Sequence, residues 1–252
     1  MMAFWVLCAS LIAGAVAAIS GFGIGSLLTP ILAVRYGTKL AIAIVSVPHL
    51  VATAARFYGL RKQVDKKVFL NFGILSAAGG LAGAMLNAHA NSPALTIVFG
   101  CLLVFAGASG LTGFVDRMHF GRRTAWVAGA LSGFFGGLVG NQGGIRSAAL
   151  LGFDIRKEEL IATATAIALI VDGARMPVYL AVETKGILSA WPLLVTAIIG
   201  VLVGTFWGVR FLKRIQEQTF RKFVYSLVLS LGIYMLIHVA RTDYSLAQRV
   251  LH

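Results

Sequence analysis

Acidic residues are scarce in this chain: nine Asp and Glu stand against 22 Lys and Arg over 252 residues. Charge of either sign is rare, at 12%. Soluble domains carry about 25%, so a water-soluble globular domain is excluded. Only two cysteines occur, Cys8 and Cys101, each inside an apolar run. They read as small buried hydrophobes rather than a disulfide or a metal pair. The apolar stretches hold no HExxH, no pair of acids and no Ser-His-Asp grouping. An enzyme is therefore not expected, nor a metal centre or a cofactor. The net charge of +13 does not point to nucleic acid, because the basic residues fall between apolar runs rather than on one polar face.

Apolar residues make up the bulk, at 58%, with a mean hydropathy of +0.86. Runs near the 20 or so residues needed to span a bilayer recur along the whole length. Charge and turn residues divide them into segments 3–19, 22–35, 39–58, 68–88, 93–114, 124–140, 143–153, 159–180, 186–209 and 220–239. The expected fold is an all-α polytopic membrane protein. Segments 22–35 and 143–153 are short enough to be re-entrant half-helices. The start, Met1 to Ser20, lacks the basic n-region of a signal peptide and is expected to stay as a helix.

Two glycine-rich stretches about 112 residues apart look alike: Ile19-Ser20-Gly21-Phe22-Gly23-Ile24-Gly25 and Leu131-Ser132-Gly133-Phe134-Phe135-Gly136-Gly137. Each is expected to break an apolar helix, which a bilayer tolerates only where the break faces protein or a watery cavity. Further along, Val51-Ala52-Thr53-Ala54-Ala55-Arg56 aligns with Ile170-Val171-Asp172-Gly173-Ala174-Arg175. Gly79 and Gly83 align with Gly200 and Gly204. About five segments per half is an odd number, so the second half must enter the membrane upside down. The expected organisation is a first inverted repeat at 1–114, a basic cytoplasmic linker at 115–123, a second repeat at 124–239 and a short tail at 240–252. Glycine-interrupted segments in matching halves mark the binding site of a secondary transporter.

Basic residues set the orientation. Loops 59–67, 115–123, 154–158 and 210–222 hold 14 Lys and Arg, against five on the opposite side. The positive-inside rule puts those loops in the cytoplasm and both termini outside, in a cell (inner) membrane.

The Gly-rich turn leading to Pro30-Ile31-Leu32, the small-residue helix carrying Ser46 and the second cluster at Gly140 to Gly144 together resemble the TauE/SafE family of membrane transporters. The resemblance covers nearly the whole chain. It implies uptake or export of small sulfur-containing anions, such as sulfite, thiosulfate or organosulfonates, without ATP. One departure stands out. A fuller glycine run followed by proline is usual there, but this chain has Gly140-Asn141-Gln142-Gly143-Gly144-Ile145-Arg146. An amide pair and a cation have entered the expected site.

A helix that starts inside the membrane offers unpaired N–H groups and the positive end of its dipole to an anion. Candidate substrate-binding residues are Ser20, Gly21, Gly23, Gly25, Asn141, Gln142, Gly143, Gly144 and Arg146. The glycines are weighed against simple close packing, and Arg146 against snorkelling to an interface. Asp172, the one acid expected in the membrane interior, stands three residues before Arg175, so an ion pair is its simplest reading. Its alternative is a carboxylate that couples transport to a proton. Arg56, Arg175 and His49 complete the gating or coupling candidates, set against snorkelling for the arginines and packing for the histidine. An anion channel and a carrier of non-sulfur carboxylates remain open as alternatives, and so does assembly into a homo-oligomer.

Overall fold

The structure, a computed structural model, describes residues 2–20, 23–114, 122–141, 143–150, 153, 155–208 and 217–250. Among these there is no strand. The helices are α1 (Met2–Ser20), α2 (Ile24–Leu60), α3 (Lys66–His89), α4 (Ser92–Thr112), α5 (Arg122–Val139), α6 (Gly143–Leu150), α7 (Lys157–Ser189), α8 (Trp191–Val203) and α9 (Glu217–Val250). A 3-10 turn at Arg61–Gln63 extends α2, and a π turn at Gly204–Gly208 extends α8. Six helices among the described residues are long and apolar enough to cross a membrane. Two shorter apolar helices, Trp126–Val139 and Trp191–Trp207, accompany them. The basic linker, residues 115–121, and the basic loop at 209–216 lie outside the described residues.

Local chemistry sets several boundaries. Asp65 caps α3 by accepting from Val68 N at 2.7 Å, and Asn91 caps α4 by accepting from Ala94 N at 2.9 Å. Side-chain acceptors of this kind satisfy N–H groups that a helix start leaves open. α2 passes through Pro30 and Pro48, yet its one non-helical residue is Gly37, at φ 74°. That break separates segments 22–35 and 39–58 as expected, although the chain continues directly from one into the other.

The stretch Leu131 to Gly137 departs from its expected role. It lies inside the unbroken helix α5 and interrupts nothing. Its glycines serve packing instead: a side chain on Gly133 would strike the Ser76 carbonyl, and one on Gly137 the Gly80 carbonyl. From the facing side, Gly79 and Gly83 meet the carbonyls of Ala130 and Phe134. Small residues four apart let two membrane helices approach backbone to backbone, which is how α3 and α5 pair. α8 pairs with α1 likewise, Gly200 and Gly204 lying against Leu7, Ser10 and Leu11. α4 pairs with α9 through Gly100, Gly107 and Gly232.

The outer surface is apolar, with Phe4, Trp5, Ile74, Met85, Leu188, Ile199 and Trp207 exposed. The interior hides Ser10, Ser46, Thr53, Asp172 and Arg175. Apolar outside and polar within is the arrangement lipid demands, since every buried polar group must find its partner inside the protein. α2 and α7 cross at the centre, and the polar interior is concentrated between them.

Candidate functional site

Two breaks in the helical framework meet near the centre. Gly23, at φ 134°, precedes α2, and Gly140, at φ 76°, separates α5 from α6. Both lie in the region that favours glycine, because a Cβ would crowd the backbone there. The breaks touch: a side chain on Gly25 would collide with the Gly140 carbonyl. Of the expected turn residues, Gly143 and Gly144 open α6, and Asn141 is half-buried between the helices. Ser20 ends α1. Gly21, Gln142 and the side chain of Ser20 lie outside the described residues.

Charged side chains gather at the same place. Asp172 is fully buried and pairs with Arg175 Nη2 at 2.7 Å, the contact expected from their three-residue spacing. Its second oxygen lies 2.6 Å from His49 Nδ1. His49 belongs to α2 and Asp172 to α7, so this bond ties the two crossing helices together. Arg175 Nη1 donates to the Gly136 carbonyl at 2.6 Å, and Tyr179 Oη donates to the Gly137 carbonyl. Arg56 Nη1 donates to the Ala17 carbonyl at 2.5 Å. Arg146 is 3% exposed and lies within electrostatic reach of Arg56, Asp172 and Arg175. None of these arginines snorkels freely: Arg175 and Arg146 are buried, and Arg56 is bound to the end of α1.

The two carbonyl contacts are the same contact made twice. Arg56 reaches 39 residues back to Ala17, and Arg175 reaches 39 residues back to Gly136. Each acceptor sits in the last turn of its helix, α1 or α5. A helix ends in carbonyls that carry the negative end of its dipole, where a cation is favoured. The arginines therefore neutralise the negative ends of α1 and α5.

The charge balance of the cluster is uneven. Among the described residues, Arg56, Arg146 and Arg175 lie within electrostatic reach of one carboxylate, Asp172. Burying charge without compensation is costly. Two hydroxyls enlarge the polar set. Thr53 and Thr29 are buried, and their Oγ1 atoms have no hydrogen-bond partner among the described residues. Thr53 follows His49 by four residues and precedes Arg56 by three, which places all three on one face of α2. Thr29 follows Gly25 by four, on the face turned to Gly140.

Sequence reasoning missed Tyr179, Thr29 and the hydroxyl of Thr53. Tyr179 carried a signal, since Asp172, Arg175 and Tyr179 recur at helical spacing. Thr53 carried one too, through its alignment with Asp172, whereas Thr29 carried none. Among the described residues, no group of His, Cys, Asp or Glu is arranged to hold a metal ion.

No curated protein and no solved structure matches the chain. Residues 6–235 match the sequence model of the sulfite exporter TauE/SafE family. That match spans both glycine breaks and every member of the charged cluster, and the chain belongs to this family of membrane transporters.

Proposed function

We propose that the protein is a secondary transporter of a small sulfur-containing oxyanion, of which sulfite, thiosulfate and organosulfonates are the candidates. The observation that carries this reading is the convergence of three arginines and one carboxylate where two glycine breaks touch. The family's description as a sulfite exporter supplies the substrate class. Arg146 supplies a planar fork for two oxygens. The starts of α2 and α6 supply backbone N–H groups, with Gly23, Gly25, Gly143 and Gly144 keeping them accessible. Hydroxyls at Thr29 and Thr53 supply two further donors.

The proposed mechanism is alternating access between two inverted repeats, 1–114 and 124–239, rocking about this site. Recurring spacing supports it. Arg56 and Arg175, Ala17 and Gly136, the helix starts Ile24 and Gly143, and the helix ends Ser20 and Val139 are each 119 residues apart. This spacing pairs Ser20 with Val139 rather than with Ser132. Pairing across the halves agrees, since α3 packs on α5 as α8 packs on α1. In this reading the termini lie outside a cell (inner) membrane, the 115–123 linker lies inside, and a proton is the coupling ion.

Counterflow between proteoliposomes tests the function. Vesicles preloaded with sulfite, thiosulfate or isethionate should exchange it saturably for external label, and carboxylates of similar size should compete poorly. Very fast flux that does not saturate would indicate an anion channel instead.

A further inference from the structure

We propose, on the reading of this cluster as an anion site, that His49 is the proton-binding group of the transporter and that one proton on its imidazole accompanies each anion. The carboxylate of Asp172 is the obvious proton carrier from sequence, yet its surroundings speak against it. Both of its oxygens are engaged, one by Arg175 at 2.7 Å and one by His49 at 2.6 Å. Taking its charge away would leave the buried Arg175 without its ion-pair partner. His49 is the free variable in the pair. Imidazole is the side chain whose ordinary charge change falls near neutral pH, unlike guanidinium or carboxylate. Its side chain is 13% exposed, whereas that of Asp172 is fully buried, so a proton reaches the ring first.

The groups that act on His49 are few. Asp172 and Arg175 face it from α7, and Arg56 lies on its own helix. Arg146 on α6 acts on Asp172, Arg175 and Arg56. A proton on His49 therefore adds positive charge beside the proposed anion site. Anion and proton favour each other, and by reciprocity each tightens the other by one common factor, about 5–150 for typical coupled sites. That makes the pair a symport device. The bond also joins helices from the two halves. A rocking motion that separates α2 from α7 parts His49 from Asp172, and the proton then leaves with the anion. The 119-residue spacing pairs Asp172 with Thr53 and His49 with Ala168. Among the described residues the acid–histidine pair thus occurs once, which sets the stoichiometry at one.

Purified full-length protein in proteoliposomes, with a trapped pH dye and the membrane potential clamped, tests this. Radiolabelled thiosulfate and isethionate are the probes, because neither takes up a proton near neutral pH and every proton counted belongs to the protein. An imposed pH gradient should drive accumulation of the probe, with one proton moved per anion. His49→Gln should keep measurable exchange at equal pH while losing gradient-driven accumulation by about 5-fold or more. Wild-type protein that exchanges probe but moves no protons would overturn the proposal by itself, whatever the variant does. So would His49→Gln vesicles that still accumulate probe as the wild type does. Absence of exchange in the wild type would overturn the transporter reading, and this proposal with it.

Discussion

Arg146 and Arg175 are both buried cations, but they answer to different partners. Arg175 is built into the framework: it holds Asp172 and the last turn of α5. Replacing it by alanine breaks a buried ion pair, a loss of about 3–5 kcal/mol. Arg175→Ala should therefore unfold in detergent well below the wild type, and unchanged thermal stability would sink the structural role. Arg146 is expected to act on the ligand. Arg146→Ala should weaken anion binding by about 1.5–3 kcal/mol, the worth of a charge-assisted hydrogen bond. Arg146→Lys should recover only part of that, since an ammonium cannot form the two-pronged contact. Titration calorimetry on folded protein measures both, and equal affinity in all three proteins would move the site to the helix starts alone. The Asp172–Arg175 pair was legible because three residues is a helical neighbour distance. The His49–Asp172 bond was not. Its partners are 123 residues apart and meet only where α2 and α7 cross.

At the scale of the element, glycine has two uses here that composition alone does not separate. Gly23 precedes one helix and Gly140 follows another, both at positive φ. Gly133 and Gly137 stay helical and admit a neighbouring backbone. The two stretches read alike in sequence because both are small residues in an apolar run. The difference lies in what packs against them, α3 in the second case, and that information sits some 50 residues away. The two uses predict different damage. Gly137→Leu should separate α3 from α5 and lower stability, with no special effect on binding in whatever protein survives. Gly140→Ala should cost about 1–2 kcal/mol of backbone strain, the usual penalty for a side chain in the left-handed region. It should also impair binding, because the added methyl group would sit 3.4 Å from Arg175 Nη1. Comparing melting temperature with anion affinity for each variant separates the two. The reverse pattern, with Gly137→Leu hurting affinity at normal stability, would contradict the assignment.

For the whole molecule, the expected segments were legible to within a few residues over most of the chain, because a bilayer permits little besides apolar helices between polar ends. Lengths were less so. Segment 159–180 proved to be part of α7, Lys157–Ser189, since Lys185 reads as a boundary but the helix carries it past a bend at Glu183. Orientation is a prediction from the basic loops. With both native cysteines removed, a single cysteine placed in 59–67 should resist an impermeant thiol reagent in intact cells and react once the membrane is opened. Ready labelling from outside would reverse the assignment.

Thr53 and Asp172 hold equivalent places, as do Leu27 and Arg146, by the same 119-residue spacing. A carrier with two identical halves would look the same from either compartment, and its half-saturating concentrations inside and outside would coincide. Here each mismatch puts the charge in the second half. In the proposed alternating-access cycle the inward-open and outward-open cavities are therefore not mirror images, which predicts a carrier that acts as a rectifier in its kinetics while the gradients still fix the final balance. Right-side-out and inverted vesicles should accordingly give half-saturating anion concentrations that differ severalfold. Equal values would mean that the halves, despite their sequences, have remained functional twins.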